Sequence, residues 1–248
     1  MDFALGMLAF WPALAIGSFL NVIAARVPLR RSVVHPRSAC MSCSTELAWH
    51  DNIPVVSYAL LRGRCRSCGT AISPLYPAVE LATAVLVAVC FIVFGLTGEA
   101  VVAAFFCAVL VTVTATDLTH RIVPNRIVLP AALIVLVAQT ALDPSPEWLL
   151  GALGASGFLL LAALAYPAGM GMGDVKLALL LGAMLGRLVG VGLMVGMLAA
   201  LVPSAVLLAR HGSTARKMGI PFAPFLALGA LVALFFGRPL LDAYLSTF

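Results

Sequence analysis

An all-α polytopic membrane protein of about eight transmembrane helices is the fold class this sequence predicts, and three observations carry the prediction. Of the 248 residues, 62% are hydrophobic and only 10% charged, where a soluble domain carries about 25% charged residues. Apolar runs of roughly 17–25 residues, the length that spans a bilayer, recur along the chain. All but Arg187 and Arg238 of the 15 Lys and Arg residues fall on one side of those runs, the asymmetry that orients membrane proteins. The net charge of +5 is therefore mostly topological. It suits anionic headgroups and is no nucleic-acid signal.

The candidate spans are about 3–25, 76–96, 100–117, 126–142, 148–166, 174–187, 189–209 and 223–245. Asp2 precedes the first run, and Arg26, Arg30 and Arg31 follow it. A signal peptide puts its positive charge before its apolar core, so this run is expected to stay as an uncleaved span with the N-terminus outside. Arg37, Arg62, Arg64, Arg66, Arg121, Arg126, Lys176, Arg210, Arg216 and Lys217 then lie inside, while Asp2, Glu99, Asp143, Glu147 and Asp242 mark the outer ends. The sixth run is short. Asp174 to Gly186 covers roughly 20 Å at ~1.5 Å per residue, less than a ~30 Å hydrocarbon core, which places Asp174 below the membrane surface. Residues 26–75 form the sizeable polar stretch; the inside connections 118–125, 167–173 and 210–222 are shorter. The expected division is a first transmembrane helix over 1–25, a cysteine-rich cytoplasmic segment over 26–75, and a core of about seven helices over 76–248. No internal repeat stands out, because Ala, Leu and Val richness is what the bilayer demands of any span.

The polar stretch is too small to fold on a hydrophobic core alone and needs a staple. Cys40-Met-Ser-Cys43 and Cys65-Arg-Ser-Cys68 supply one. The C-x2-C…C-x2-C pattern fits a tetrahedral zinc site, and disulfides are disfavoured in the cytoplasm. Four thiolates leave no open coordination position, so the metal is expected to be structural. The chain thus carries a small cytoplasmic four-cysteine zinc-binding segment, with His35 and His50 as spare donors. Cys90 and Cys107 lie in apolar runs and read as packing.

Two aspartates are the chemical signal. Asp117 sits in Thr114-Ala-Thr-Asp-Leu-Thr-His-Arg-Ile-Val-Pro124, and Asp174 in Gly171-Met-Gly-Asp-Val-Lys176. A carboxylate at the edge of hydrocarbon is costly, and two of them can share one proton. Pro124 follows the first; Pro167, Gly169, Gly171 and Gly173 precede the second. Such residues break helices, and irregular backbone at membrane depth survives only beside protein or a water-filled cavity. The bland readings are that Asp174 is a helix N-cap and that Asp117 pairs with Arg121 at i,i+4. Lys176 would tune Asp174, meet substrate backbone, or snorkel to the interface. Gly171 and Gly173 would admit an extended peptide close to the backbone. His120 is a polar interfacial residue or an electrostatic neighbour of Asp117.

With these motifs in order, the chain resembles the type IV prepilin peptidase family of GxGD-type membrane aspartic proteases. The likeness runs through Gly17-Ser-Phe-Leu-Asn-Val22, the four cysteines, Trp49-His-Asp-Asn-Ile-Pro54, Leu61-Arg-Gly-Arg-Cys-Arg-Ser-Cys-Gly69, Tyr76-Pro-Ala-Val-Glu80, the two aspartate segments, and Ile220-Pro-Phe-Ala-Pro-Phe225. The resemblance implies eight helices in the bacterial inner membrane, with Asp117 and Asp174 catalytic at the cytoplasmic side. It implies cleavage of the basic leader of prepilin or pseudopilin precursors, usually after Gly. It further implies N-methylation of the new terminal residue with S-adenosylmethionine as donor, in members that keep the cysteine segment. No Gly-rich nucleotide fingerprint is present, so any S-adenosylmethionine site is unconventional, is expected near the cysteine segment, and has no assignable residues. Glu80, near the inner start of the second span, is a candidate leader contact or a carboxyl bonded within the bundle. Glu46 and Asp51 would meet leader lysines or solvate the segment. The rival readings are a peptidase alone, with the zinc segment docking substrate, and a non-enzymatic transporter whose aspartates carry protons or ions.

Overall fold

The computed structural model describes residues 2–166, 170–212 and 219–246. Pro167, Gly169, Arg216 and Lys217 lie outside the described residues. Among the described residues, eight α-helices follow the eight apolar runs: α1 (Asp2–Arg26), α3 (Leu75–Phe94), α4 (Gly98–His120), α5 (Asn125–Leu142), α6 (Glu147–Ala165), α7 (Met172–Leu185), α8 (Val189–His211) and α9 (Ala223–Leu245). A short helix, α2 (Val56–Leu60), lies in the polar stretch. Among the described residues the only β pairing is two isolated bridges, Ala39–Glu46 and Arg64–Ala71. Among the described residues, seven stretches are long and apolar enough to cross a membrane. One of them, Met172–Arg210, is two helices: Gly186, at φ +52, takes a left-handed conformation that side chains resist and separates α7 from α8. The 14 residues of α7 do not by themselves reach across a bilayer core.

The chain divides into two compact units, Met1–Thr116 and Asp117–Phe248. In the first, α1 packs along α3. Gly17 is required there, because a Cβ would stand 2.7 Å from the Glu80 Cα. Asn21 Nδ2 donates to the Tyr76 carbonyl at 3.0 Å, tying the C-terminal part of α1 to the start of α3. Cys90 and Cys107 are both buried, with their sulfurs 3.8 Å apart.

In the second unit α7 packs against α5 and α6, and α8 against α9. Its interfaces are built on small residues. A Cβ on Gly182 would strike the Gly151 carbonyl, and one on Gly229 would strike the Gly192 carbonyl. Helices in lipid gain little from burying apolar side chains against one another, so close backbone approach supplies the attraction.

Candidate active site and metal centre

Asp117 is the first residue of the second unit and lies in the last turn of α4. It is 6% exposed. Its Oδ2 accepts the backbone N–H of Ala223 at 3.0 Å, at the first residue of α9. The closing Pro-Phe-Ala-Pro stretch thus has a local reason. It starts a helix whose free amides point at a carboxylate, an arrangement that favours negative charge. Arg121, at φ +53, ends α4 by donating its N–H to the Asp117 carbonyl at 2.9 Å. Among the described residues it makes no ion pair with the Asp117 carboxylate.

Asp174 lies in the first turn of α7. The N-cap there is Gly171, and no side chain caps the helix, so Asp174 is not the N-cap. Its side chain faces Gly171, where a Cβ would stand 3.5 Å from Oδ2. Gly173 has a packing reason: a Cβ there would stand 2.8 Å from the Val123 Cβ. The start of α7 therefore packs on the turn between α4 and α5, which follows the helix end that carries Asp117. The outcome is that Asp117 and Asp174 come within electrostatic range of each other. Lys176 Nζ donates to Asn125 Oδ1 at 3.0 Å, a strut from α7 to the first residue of α5. Two carboxyls on separate helices, close enough to interact, at the broken ends of those helices, can bind one water and divide one proton between them.

In the first unit the four cysteines form a cluster, with sulfurs all within 4.8 Å of one another. The Cys40–Cys68 and Cys43–Cys65 separations are 3.8 Å and 4.0 Å. A tetrahedral zinc with Zn–S bonds of ~2.3 Å puts its sulfurs about 3.8 Å apart, so the donor set fits the metal. His35 and His50 are not part of this group.

The two cysteine pairs share one architecture. Cys40 N–H donates to Thr45 O and Ser44 N–H to Cys40 O; Cys65 N–H donates to Thr70 O and Gly69 N–H to Cys65 O, all at 2.9 Å. The residue after the second cysteine has positive φ in both, Ser44 at 56° and Gly69 at 72°. Each threonine hydroxyl sits 3.3 Å from the second sulfur. Hydrogen bonds from Thr70 pull the Cys68 thiol down to about 6, and those from Thr45 lower Cys43. Thiolates are the form a metal binds. The repeat C-x2-C-[S/G]-T is visible in the sequence once the geometry shows what to align.

Arg66 Nη2 meets Asp51 Oδ1 at 2.7 Å. This hydrogen bonding, followed by the guanidinium charge, holds Asp51 below the ordinary carboxylate value. Glu80 is buried and its Oε2 accepts the Val55 N–H at 2.7 Å, so it is bonded to the backbone of the cysteine segment. Sequence reasoning missed the parts played by Ala223, Val123 and Asn125. Each stands in or beside a quoted motif, but its role depends on contacts across the fold.

Residues 12–94 match the family described as the bacterial Peptidase A24 N-terminal domain, and residues 104–238 match the type IV leader peptidase family. The chain is 37% identical over 238 residues to the prepilin leader peptidase/N-methyltransferase of Bacillus subtilis (strain 168), covering 94% of this chain and 95% of that protein. It is 42% identical over 207 residues to the protein of the same name from Myxococcus xanthus (strain DK1622), covering 79% of this chain and 61% of that longer protein. The corresponding protein of Burkholderia pseudomallei (strain 1026b) is 34% identical over 264 residues, 91% of this chain and 84% of that one. No solved structure matches the chain.

Proposed function

The chain belongs to the type IV leader peptidase family, and from that premise we propose that it is a membrane aspartic endopeptidase that also methylates its product. It removes the basic leader of prepilin or pseudopilin precursors after Gly, at the cytoplasmic face of the bacterial inner membrane, with its own N-terminus outside. It then methylates the new terminal amine, and S-adenosylmethionine supplies the methyl group.

The observation that supports the cleavage reading best is the electrostatic interaction of Asp174 with Asp117, with Gly173 seated on Val123. One carboxylate is ionised and takes a proton from the water between them; the other is protonated and polarises the scissile carbonyl. The pair is treated as a unit, since coupled groups titrate together. Gly171 leaves room for an extended peptide beside Asp174. The substrate's apolar helix lies in the bilayer while its leader reaches the inner face. Cys40, Cys43, Cys65 and Cys68 hold a structural zinc that orders the segment between α1 and α3.

Incubating the purified protein with a prepilin, with and without S-adenosylmethionine, tests this by product mass. Loss of the leader plus one methyl mass is expected with the donor, and loss of the leader alone without it. Cleavage with no methylation under any condition would leave a peptidase only, and no cleavage at all would return the aspartates to a transport role. Asp117→Asn and Asp174→Asn should each lower cleavage by about 100- to 10,000-fold while the protein still inserts. Full activity in either variant would refute the dyad.

A further inference from the structure

A cavity of about 460 Å³ lies in the first unit, where the inner ends of α1 and α3 meet the four-cysteine segment. Ser18, Asn21, Arg26, Tyr58, Tyr76 and Glu80 are among its lining residues. Small-molecule and cofactor sites run from about 300 to 1,000 Å³. Three hydrogen bonds tie the cavity walls. Asn21 is bonded to Tyr76 O, and the Tyr58 hydroxyl donates to Ile72 O at 3.4 Å. The Val55 N–H is bonded to Glu80. Val55 itself sits at φ +61 and ψ −46, the centre of a γ-turn closed by the Val56 N–H on the Pro54 carbonyl, a rare and strained conformation for a β-branched residue. Strain of that kind persists where the surroundings over-determine it, and it gathers at ligand clamps.

The charge in the cavity is uneven. Three carboxylates line it: Glu46, Asp51 and Glu80. Asp51 is neutralised by Arg66 and Glu46 is exposed to solvent. Glu80 is 8% exposed, and among the described residues no cation pairs with it. Its hydrogen bonds come from the Val55 N–H and the Ser18 side chain; burying a carboxylate without a counter-charge is unfavourable, and a cationic ligand beside it would relieve that cost.

We propose that this cavity is the methyl-transfer site, taking S-adenosylmethionine and the α-amine of the cleaved substrate, with Glu80 as its charged group. The inference rests on reading the chain as a methyl-transferring enzyme. Tyr58 and Tyr76 offer ring faces to the purine and to the sulfonium cation. Arg26, whose guanidinium already bonds the Ser32 and Arg37 carbonyls, stands where it can receive the amino-acid carboxylate. Glu80 lies beside both cations: it offsets the sulfonium charge, pairs with the substrate ammonium and takes one proton from that ammonium, which frees the nitrogen lone pair. The nitrogen then attacks the methyl carbon. The C–N bond forms as the C–S bond breaks, and the bonding pair leaves on sulfur as the neutral thioether S-adenosylhomocysteine.

Binding of S-adenosylmethionine and of S-adenosylhomocysteine to the metal-loaded full chain, measured by calorimetry in detergent, tests the assignment. Glu80→Gln keeps the side chain's shape and an oxygen for the Val55 N–H while removing the charge. Its affinity for the sulfonium should drop about tenfold or more, and its affinity for the neutral thioether by less than about threefold, with four-thiolate metal content retained. Unchanged sulfonium affinity, or equal loss of both ligands, would overturn the role of Glu80. An independent measurement uses the unmodified protein: ultraviolet cross-linking of labelled S-adenosylmethionine should mark peptides containing Tyr58 or Tyr76. Label confined to residues 117–248 would overturn the cavity. A wild-type protein that cleaves but neither binds nor uses the donor would instead sink the methyltransferase reading beneath it.

Discussion

Asp117 depends on a backbone donor that no side-chain inventory would find. Ala223 is the first residue of α9, a position where helices accept proline because the N–H has no intrahelical partner. Ala223→Pro therefore deletes the Ala223 N–H donor to Asp117. A hydrogen bond to a charged group contributes about 1.5–3 kcal/mol, so kcat for leader cleavage should fall about 10- to 100-fold with KM nearly unchanged, while Ala223→Ser, which keeps the N–H, should retain activity. Equal kcat in the proline variant would show that Asp117 is held by other means. Ser44 makes a second case. It stands at φ +56 where its counterpart in the other knuckle is Gly69. The left-handed conformation costs a residue with a Cβ about 1–2 kcal/mol, and glycine returns about 0.5–1 kcal/mol of that as chain entropy. Ser44→Gly should therefore stabilise the segment by up to about 1 kcal/mol, read as greater resistance to thermal unfolding under chelator challenge.

Helix α7 is short, broken off at Gly186 and pressed onto its neighbours. Gly182→Ala places a methyl group against the Gly151 carbonyl, so α6 and α7 must separate. The expected cost is about 1–3 kcal/mol, visible as a lower Tm in detergent. Gly154→Ala, on the same helix α6 with open space around it, is the control and should leave Tm unchanged or slightly raised. The cysteine knuckles respond to metal instead. Chelation should make residues 26–75 protease-sensitive while α1 and α3 stay paired, because the segment has little other core. The pH dependence has a definite sign. Cys68, down at about 6, is already a thiolate at neutral pH, so its contribution to metal binding is present above that value and is lost as pH falls through it. A plot of log cobalt affinity against pH should therefore steepen below about 6, approaching an additional tenfold per unit from this group.

At the scale of the molecule, the positive-inside pattern predicts that the four-cysteine segment faces the cytoplasm. A membrane-impermeant maleimide should leave Cys43 and Cys68 unlabelled in intact spheroplasts and label them after permeabilisation of metal-stripped membranes; labelling from outside would invert the topology. The sequence by itself determined the helices and the four-cysteine cluster. Each of the eight runs became a helix with ends within a few residues of the expected ones, because hydropathy is a solvent requirement that every span meets locally. The cysteine site was equally legible, since C-x2-C spacing alone brings two thiolates onto one knuckle. The surroundings of Asp117 and Asp174 were different. Their motifs marked them, but only the tertiary structure put Gly173 on Val123, the Ala223 amide on Asp117 and the Lys176 ammonium on Asn125. The same holds for Glu80 and its cavity, which exist only where α1, α3 and Val55 converge. Contacts between residues far apart in the chain depend on how backbones approach one another, and a glycine in a sequence does not say which backbone it admits.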